Sequence, residues 1–276
     1  MKKTLASGLL AITVLSSAIT FSAVAAGPTG GASNVPISFD GAAPTQSITS
    51  FILNDTTWVS IRDFAEAMGS ATVTWSPSTA IVAAPNLTIT ATVGEQYIIA
   101  NGRYLHVPDG CLLLDGSVMV PIRALAKAYD AAVTWIPTTK TVLVTTGSGA
   151  IAPASVFYND NDVYWLSRII NAEARGESLA GKIAVGNVVL NRVASPQYPN
   201  TVREVIFDKA HGVQFTPAYS GAIYNTPSEE SIVAAKIALD GGNTAGRSLF
   251  FANTAKCWAA KVRPYEMTIG NHFFFA

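Results

Sequence analysis

A chain of 276 residues, 49% hydrophobic and 13% charged, is long enough to bury a sizeable core, and at about 100 to 200 residues per domain it divides into two. This composition excludes a disordered polyelectrolyte, and 18 basic against 18 acidic residues leave no electrostatic footprint for nucleic acid. Cys111 and Cys257 are too few for a disulfide framework and have no Cys or His neighbour at zinc-site spacing, so neither a metal site nor a cofactor is expected.

The chain opens with Met1-Lys2-Lys3, runs apolar from Leu5 to Val24 and reaches Ala25-Ala26 before Gly27. A positive start, an apolar stretch and small residues at its end read as a signal peptide, residues 1–26. A membrane anchor needs about 20 strongly apolar residues, and Ser16, Ser17, Thr20 and Ser22 interrupt this run. Cleavage would remove Lys2 and Lys3, leaving 16 basic against 18 acidic groups and no membrane span. The cell surface or the medium is the expected destination.

The next stretch repeats itself. Trp58-Val59-Ser60-Ile61-Arg62 returns as Met119-Val120-Pro121-Ile122-Arg123, and Val73-Thr74-Trp75 as Val133-Thr134-Trp135, at offsets of 61 and 60 residues. Each copy reads as a short β-rich stretch, a helix with apolar spacing (Phe64-Ala65-Met68, Leu125-Ala126-Tyr129), an alternating strand, a Pro-containing turn and another strand. This unit resembles the copper amine oxidase N-terminal-like repeat of bacterial surface proteins. With His106 its single histidine, the unit gives no support to copper or redox chemistry. Trp75 and Trp135 could stack on sugar rings, but a Trp repeated at a strand end is expected to be a core residue. Residues 27–146 thus read as a wall-associating or spacer domain, and 147–158, small, uncharged and broken by Gly and Pro, as a linker.

Residues 159–276 carry the candidate chemistry. Asp160 or Asp162 can cap a helix from about Val163 to Ala174, with Gly176 as terminator. Leu166, Ile169, Ile170 and Glu173 follow at helical spacing, so a carboxyl group ends the buried stripe. Either desolvation raises its pKa, as a general acid requires, or it pairs with Arg168 or Arg175. Lysozyme is the model for the first reading: its acid, a Glu in an apolar pocket, has a pKa near 6. Helical phase alone leaves both open.

The run Ser167-Arg168-Ile169-Ile170-Asn171-Ala172-Glu173-Ala174-Arg175-Gly176-Glu177, then Gly181 to Val193, closely resembles the SleB-type, spore-cortex-lytic cell-wall hydrolase family. Tyr198-Pro199-Asn200, Gln214-Phe215-Thr216 and Thr268-Ile269-Gly270-Asn271-His272 continue the likeness, although Thr216 stands for a Ser and Asn253-Thr254-Ala255 lacks the family's Pro. The resemblance implies a mainly helical, lysozyme-like domain acting on the β-1,4 bond between N-acetylmuramic acid and N-acetylglucosamine. It assigns Glu173 as the catalytic acid of a lytic transglycosylase, whose product is a 1,6-anhydro sugar. Such a route needs one carboxylate, whereas ordinary hydrolysis uses a pair at defined separation.

Further readings concern single residues. Gln214, Phe215 and Thr216 are sugar-cleft candidates, with Asn253, Trp258 and His272 as weaker ones. His272, among phenylalanines, is expected as a packed structural donor, and core packing is expected for Trp258 and Tyr265. Asn187 and Asn191, at i and i+4, either reach substrate acetamides or satisfy backbone groups behind the catalytic helix, the second being favoured. Glu177 is the nearest second carboxylate; Glu204 and Glu229 fit capping boxes that start at Thr201 and at Thr226, with Pro227 as the first helical residue.

The sequence therefore predicts an α+β protein, a two-repeat β-rich domain with short helices followed by a mainly helical domain. Its expected role is that of a secreted peptidoglycan-cleaving enzyme of a Gram-positive cell wall or spore envelope, with peptidoglycan glycan strands as partner. The alternative is a non-catalytic wall-binding surface protein. A wall peptidase or amidase lacks support, since no Cys/His, Ser/His/Asp or His-Glu-x-x-His arrangement is visible.

Overall fold

The structure, a computed structural model, describes residues 34–69, 71–210 and 212–276; the signal-peptide reading lies outside them. Among the described residues no helix is long and apolar enough to cross a membrane.

Each repeat begins with a tight hairpin. Strands β2 (Ser50–Leu53) and β3 (Thr56–Ser60) turn at Asn54-Asp55, and β9 (Leu112–Leu114) and β10 (Ser117–Pro121) at Asp115-Gly116, each pair at positive φ, as two-residue hairpin turns require. Helix α1 (Ile61–Ala67) follows β3, capped by the Ser60 hydroxyl; α2 (Ile122–Ala128) follows β10, where Pro121 offers no such cap. Further hairpins close the copies: β4 (Thr72–Ser76) with β5 (Thr79–Ala84), and β11 (Ala132–Ile136) with β12 (Thr141–Thr145). The repeated arginines have one job, since Arg62 and Arg123 each donate to the carbonyl of the valine, Val73 or Val133, on the following strand.

The copies meet through equivalent residues. β3 and β10 run antiparallel with Val59 opposite Val120, the same position of the two repeats, so a local two-fold axis passes between them. Phe64 of α1 packs its ring 5.7 Å from that of Tyr129, just after α2, and Trp58 is fully buried beneath both helices' core. Strand β1 (Ile37–Phe39) adds parallel to β12, while β6 (Leu87–Thr92), β7 (Tyr97–Ala100) and β8 (Arg103–His106) extend β4-β5 into a five-stranded sheet.

Trp75 and Trp135 depart from expectation: they are 48% and 39% exposed. Each lies on the same strand face as Val73 or Val133, but two residues farther towards the hairpin turn, past the edge of the core.

Residues 147–158 are tied to both sides. Ile151 is buried in the repeat core, Asn101 donates to its carbonyl, and helix α3 (Ala154–Phe157) starts with Ala154 N donating to Asn101 O. Phe157 lies under the Arg103 guanidinium at 3.3 Å.

Beyond this segment the chain is mainly helical. Helix α4 (Asp160–Ala174) starts earlier than the apolar spacing suggests, and its cap is Asn159 rather than Asp160 or Asp162: the Asn159 side chain accepts from Asn161 N and Asp162 N, leaving both aspartates in the first turn. Helix α5 (Leu179–Ala194), capped by Ser178, packs on α4 and on α8 (Glu229–Leu239). Gly186 makes the three-helix contact possible: a Cβ there would lie 3.0 Å from Ile170 and 3.3 Å from Ala238.

Short helices α6 (Val202–Ile206) and α7 (Pro217–Ser220) follow α5. Thr201 caps α6 as expected, its hydroxyl bonding both Glu204 N and the Glu204 carboxylate. The cap of α8 is Ser228, not Thr226, and Pro227 precedes the helix; Asn171 of α4 accepts from Ser228 N, fixing where the helix begins. Because Asn171 is near the end of α4 and Ser228 at the start of α8, the two helices run antiparallel. The sheet β13-β15-β14 (Phe250–Ala252, His272–Phe275, Tyr265–Ile269), with α9 (Ala259–Val262) before β14, completes a mixed α+β fold.

Candidate active site

Glu173 occupies the last turn of α4, and its carboxyl faces a cavity of about 580 Å³. Burial alone raises its pKa to about 7; neither a hydrogen bond nor a neighbouring charge contributes. The ion-pair alternative is not what forms: Arg168 lies over the Tyr164 ring at 3.8 Å, and no salt bridge of Glu173 with Arg168 or Arg175 occurs among the described residues. At neutral pH a substantial fraction of Glu173 is therefore protonated and can donate.

The cavity gathers residues that lie far apart in the chain. Gln214, Phe215, Thr216, Asn253, Trp258 and His272 all line it together with Glu173. Phe215 is buried as the floor, whereas Trp258 is 61% exposed at the rim, edge-on to Phe250 with ring centroids 5.9 Å apart. Core packing, the expectation for Trp258, is not what forms: Phe250 and Arg263 lie beside its ring, and most of it stays exposed; Tyr265 is likewise exposed and lies outside the cavity lining.

His272 is buried between Phe251 and Phe274, with ring centroids 5.2 and 6.3 Å away. Its Nδ1 has no hydrogen-bond partner among the described residues, so it is packed but not the structural donor expected. Burial lowers its pKa, against the opposing pull of Glu177, so the imidazole is neutral near pH 7.

Glu177 does not reach the cavity. It accepts from Asn271 Nδ2 at 2.9 Å and from Asn271 N at 3.2 Å, and those bonds, the side-chain one foremost, hold its carboxyl below the usual range. It fastens the start of α5 to the β14–β15 turn that carries His272. Asn187 and Asn191 also lie outside the cavity lining. Asn187 bonds Gly242 O and Thr244 N, and Asn191 bonds Gly246 O and Ser248 O, so the pair shapes the loop between α8 and β13 rather than the back of α4.

Arg192, a charged residue of the cavity, escaped the sequence reading. Arg192 is 4% exposed, with its guanidinium about equally near the rings of Tyr198, Phe215 and Phe250 at 5.1 Å. Its Nε donates to Leu249 O at 2.7 Å and its Nη2 to Gln214 Oε1 at 3.2 Å, so it aims Gln214 into the cleft. A charged residue in the last turn of an otherwise apolar helix was the available signal. Cys257 also lines the cavity as a free thiol, and Cys111 is a second, buried one. Among the described residues no group of His, Cys, Asp or Glu is arranged to hold a metal ion.

Residues 176–275 match the family model for Cell Wall Hydrolase. The C-terminal unit is a cell wall hydrolase domain. Residues 38–144 match the Copper amine oxidase N-terminal domain, which makes the repeat pair that domain. The hydrolase domain's relatives include the spore cortex-lytic enzyme of Bacillus cereus, 38% identical over 119 residues that make up 42% of this chain and 45% of that protein. The enzyme of Bacillus subtilis strain 168 is 34% identical over 42% of this chain and 38% of its own length. The match thus spans less than half of these curated relatives.

Among solved structures, the catalytic domain of the germination-specific lytic transglycosylase SleB from Bacillus anthracis is 36% identical, covering 45% of this chain and all of that one, at a TM-score of 0.40. The catalytic domain of Bacillus cereus SleB is 36% identical over 43% of this chain and 92% of its own, at 0.39. Glu173 lies three residues ahead of the segment that the cell wall hydrolase model matches.

Proposed function

We propose that this protein cleaves the glycan strands of peptidoglycan outside the cell, in the wall or the spore cortex, as a lytic transglycosylase with Glu173 as acid and then base. The observation that carries this reading is Glu173 itself, a carboxyl raised to about 7 by burial and the single acidic residue among the described residues that line the cleft. The name of the curated relatives, a spore cortex-lytic enzyme, supports the same class of substrate.

One carboxyl suffices for the reaction. Protonated Glu173 gives its proton to the glycosidic oxygen as the bond from C1 of N-acetylmuramic acid breaks, and N-acetylglucosamine departs with a free 4-hydroxyl. The Glu173 carboxylate then takes the proton of the muramic acid's 6-hydroxyl while O6 bonds to C1, closing a 1,6-anhydro ring. Glu173 ends protonated, and no water is consumed. Gln214, Asn253 and the Trp258 ring are assigned to holding the sugars, the last by stacking on an apolar ring face.

The test is release of soluble fragments from purified vegetative and cortex peptidoglycan. Wild type is expected to release them, and Glu173→Gln to be slower by about 10²- to 10⁴-fold, the contribution of a general acid–base group. Equal release by both proteins contradicts the proposal.

A further inference from the structure

The catalytic cleft is not the largest cavity described. A second, of about 680 Å³, opens around Trp135, within the ~300–1,000 Å³ of small-ligand sites. The β2–β3 hairpin with Asp55 and Thr57, the end of β8 at Leu105 and His106, α2 with Arg123 and Lys127, the β11–β12 hairpin with Trp135, and the loop after α8 at Asp240 all wall it. Most of its lining belongs to the repeat domain, and the hydrolase domain closes one side with Asp240, Gly241 and Gly242.

Its lining combines aliphatic side chains with one aromatic ring and a few hydroxyl and charged groups. Trp135 presents an aromatic ring at the cavity wall, and Trp75, its equivalent in the first repeat, is exposed as well. Neither ring contributes much to the core, whereas a flat indole face suits the apolar face of a pyranose. Around Trp135 lie hydroxyl and cationic groups. The charge of Asp240 is already met by Arg103 at 2.5 Å, so Lys127, 3.4 Å from the same carboxylate, adds an excess positive charge. Arg123 adds another and Asp55 offsets one, leaving walls that favour an anionic substituent.

We infer that this cavity is an accessory glycan site, in which one sugar of a peptidoglycan strand stacks on Trp135 and a stem-peptide carboxylate meets Arg123 and Lys127. The identity of the ligand rests on the proposed peptidoglycan reading. Asp240 follows the end of α8 and Glu173 lies near the end of α4; since these helices are antiparallel, cavity and cleft sit at opposite ends of the pair. Helix α4, at 15 residues, is about 22 Å long, which sets the scale of the span between cavity and cleft. Holding a strand at Trp135 raises the local concentration of scissile bonds.

Sedimentation of the full-length Glu173→Gln protein with insoluble peptidoglycan tests the site without turnover. Trp135→Ala in that background is expected to weaken binding about three- to ten-fold, the worth of one aromatic contact, and Trp135→Tyr to retain most of it. Undiminished binding by the alanine variant overturns the inference. So does an equal loss in the tyrosine variant, which marks a structural role, or a Trp135 effect that vanishes once acid treatment strips anionic wall polymers from the peptidoglycan. Because binding is read in a chain without its acid, failure of the cleavage reading appears separately, as absence of fragments released by wild type.

Discussion

Arg103 of the repeat domain and Asp240 of the hydrolase domain form an ion pair across the junction, Nη2 to Oδ1 at 2.5 Å, with side chains 6% and 1% exposed. Tyr158 donates to the same carboxylate, Lys127 donates to the Asp240 carbonyl, and the Arg103 guanidinium stacks on Phe157. A buried pair contributes little beyond a well-packed apolar one, but losing one member leaves the other charged and desolvated. Arg103→Ala is therefore expected to destabilise the protein by about 3 kcal/mol, with Lys127 limiting the loss. Urea unfolding followed by probes in each domain should change from one transition to two.

The carboxyl of Glu173 ties stability to pH in the direction opposite to a salt-bridged acid. Its folded pKa of about 7 lies above the ordinary 4.5, so the folded state keeps a proton that the unfolded chain releases. The resulting stability is fully present below the unfolded value and is lost as pH rises through the folded one. Glu173→Gln removes this loss and is expected to be more stable than wild type by up to about 3 kcal/mol at pH ~8, with little difference at pH ~4. Denaturant melts of both proteins at the two pH values measure it.

Catalysis should follow the same group. The acid form of Glu173 is needed first, so turnover is expected to fall as pH rises through about 7. Initial rates of fragment release across pH give the inflection.

Gly270 tests the strap that carries His272. It sits at φ +56, and a Cβ there would lie 1.9 Å from Glu177 Oε2, so alanine must break the Glu177–Asn271 bonds. Gly270→Ala is expected to cost about 1–3 kcal/mol of stability and to slow turnover by shifting His272 at the cleft. A thermal melt beside a rate measurement separates the two effects.

Arg192 offers a test of positioning. Arg192→Met keeps much of the volume but removes the bonds to Leu249 O and Gln214 Oε1, so KM should rise more than kcat falls, with a stability loss of about 1.5–3 kcal/mol for bonds to a charged group.

What the sequence reveals is local. Strand alternation, helix spacing and the recurring Arg62/Arg123 position mark the repeats, because each unit's pattern is set by neighbours a few residues away. Helical phase places Glu173 at the end of a stripe begun by Leu166, but whether an arginine pairs with it is settled only by the tertiary fold. Trp75 and Trp135 mislead because alternation tells which face a residue shares, not where the core beneath that face stops. Pairing of Asp240 with Arg103, and of Arg192 with Gln214, joins segments whose proximity only the tertiary fold creates.

The central claim is tested most directly by digesting purified peptidoglycan in ¹⁸O-labelled water and weighing the muramic ends by mass spectrometry. Intramolecular attack by the 6-hydroxyl gives anhydro ends that carry no label, formed by wild type and far more slowly by Glu173→Gln. Reducing ends that each carry one ¹⁸O would contradict the account, since water would then be the nucleophile and a second base would have to activate it.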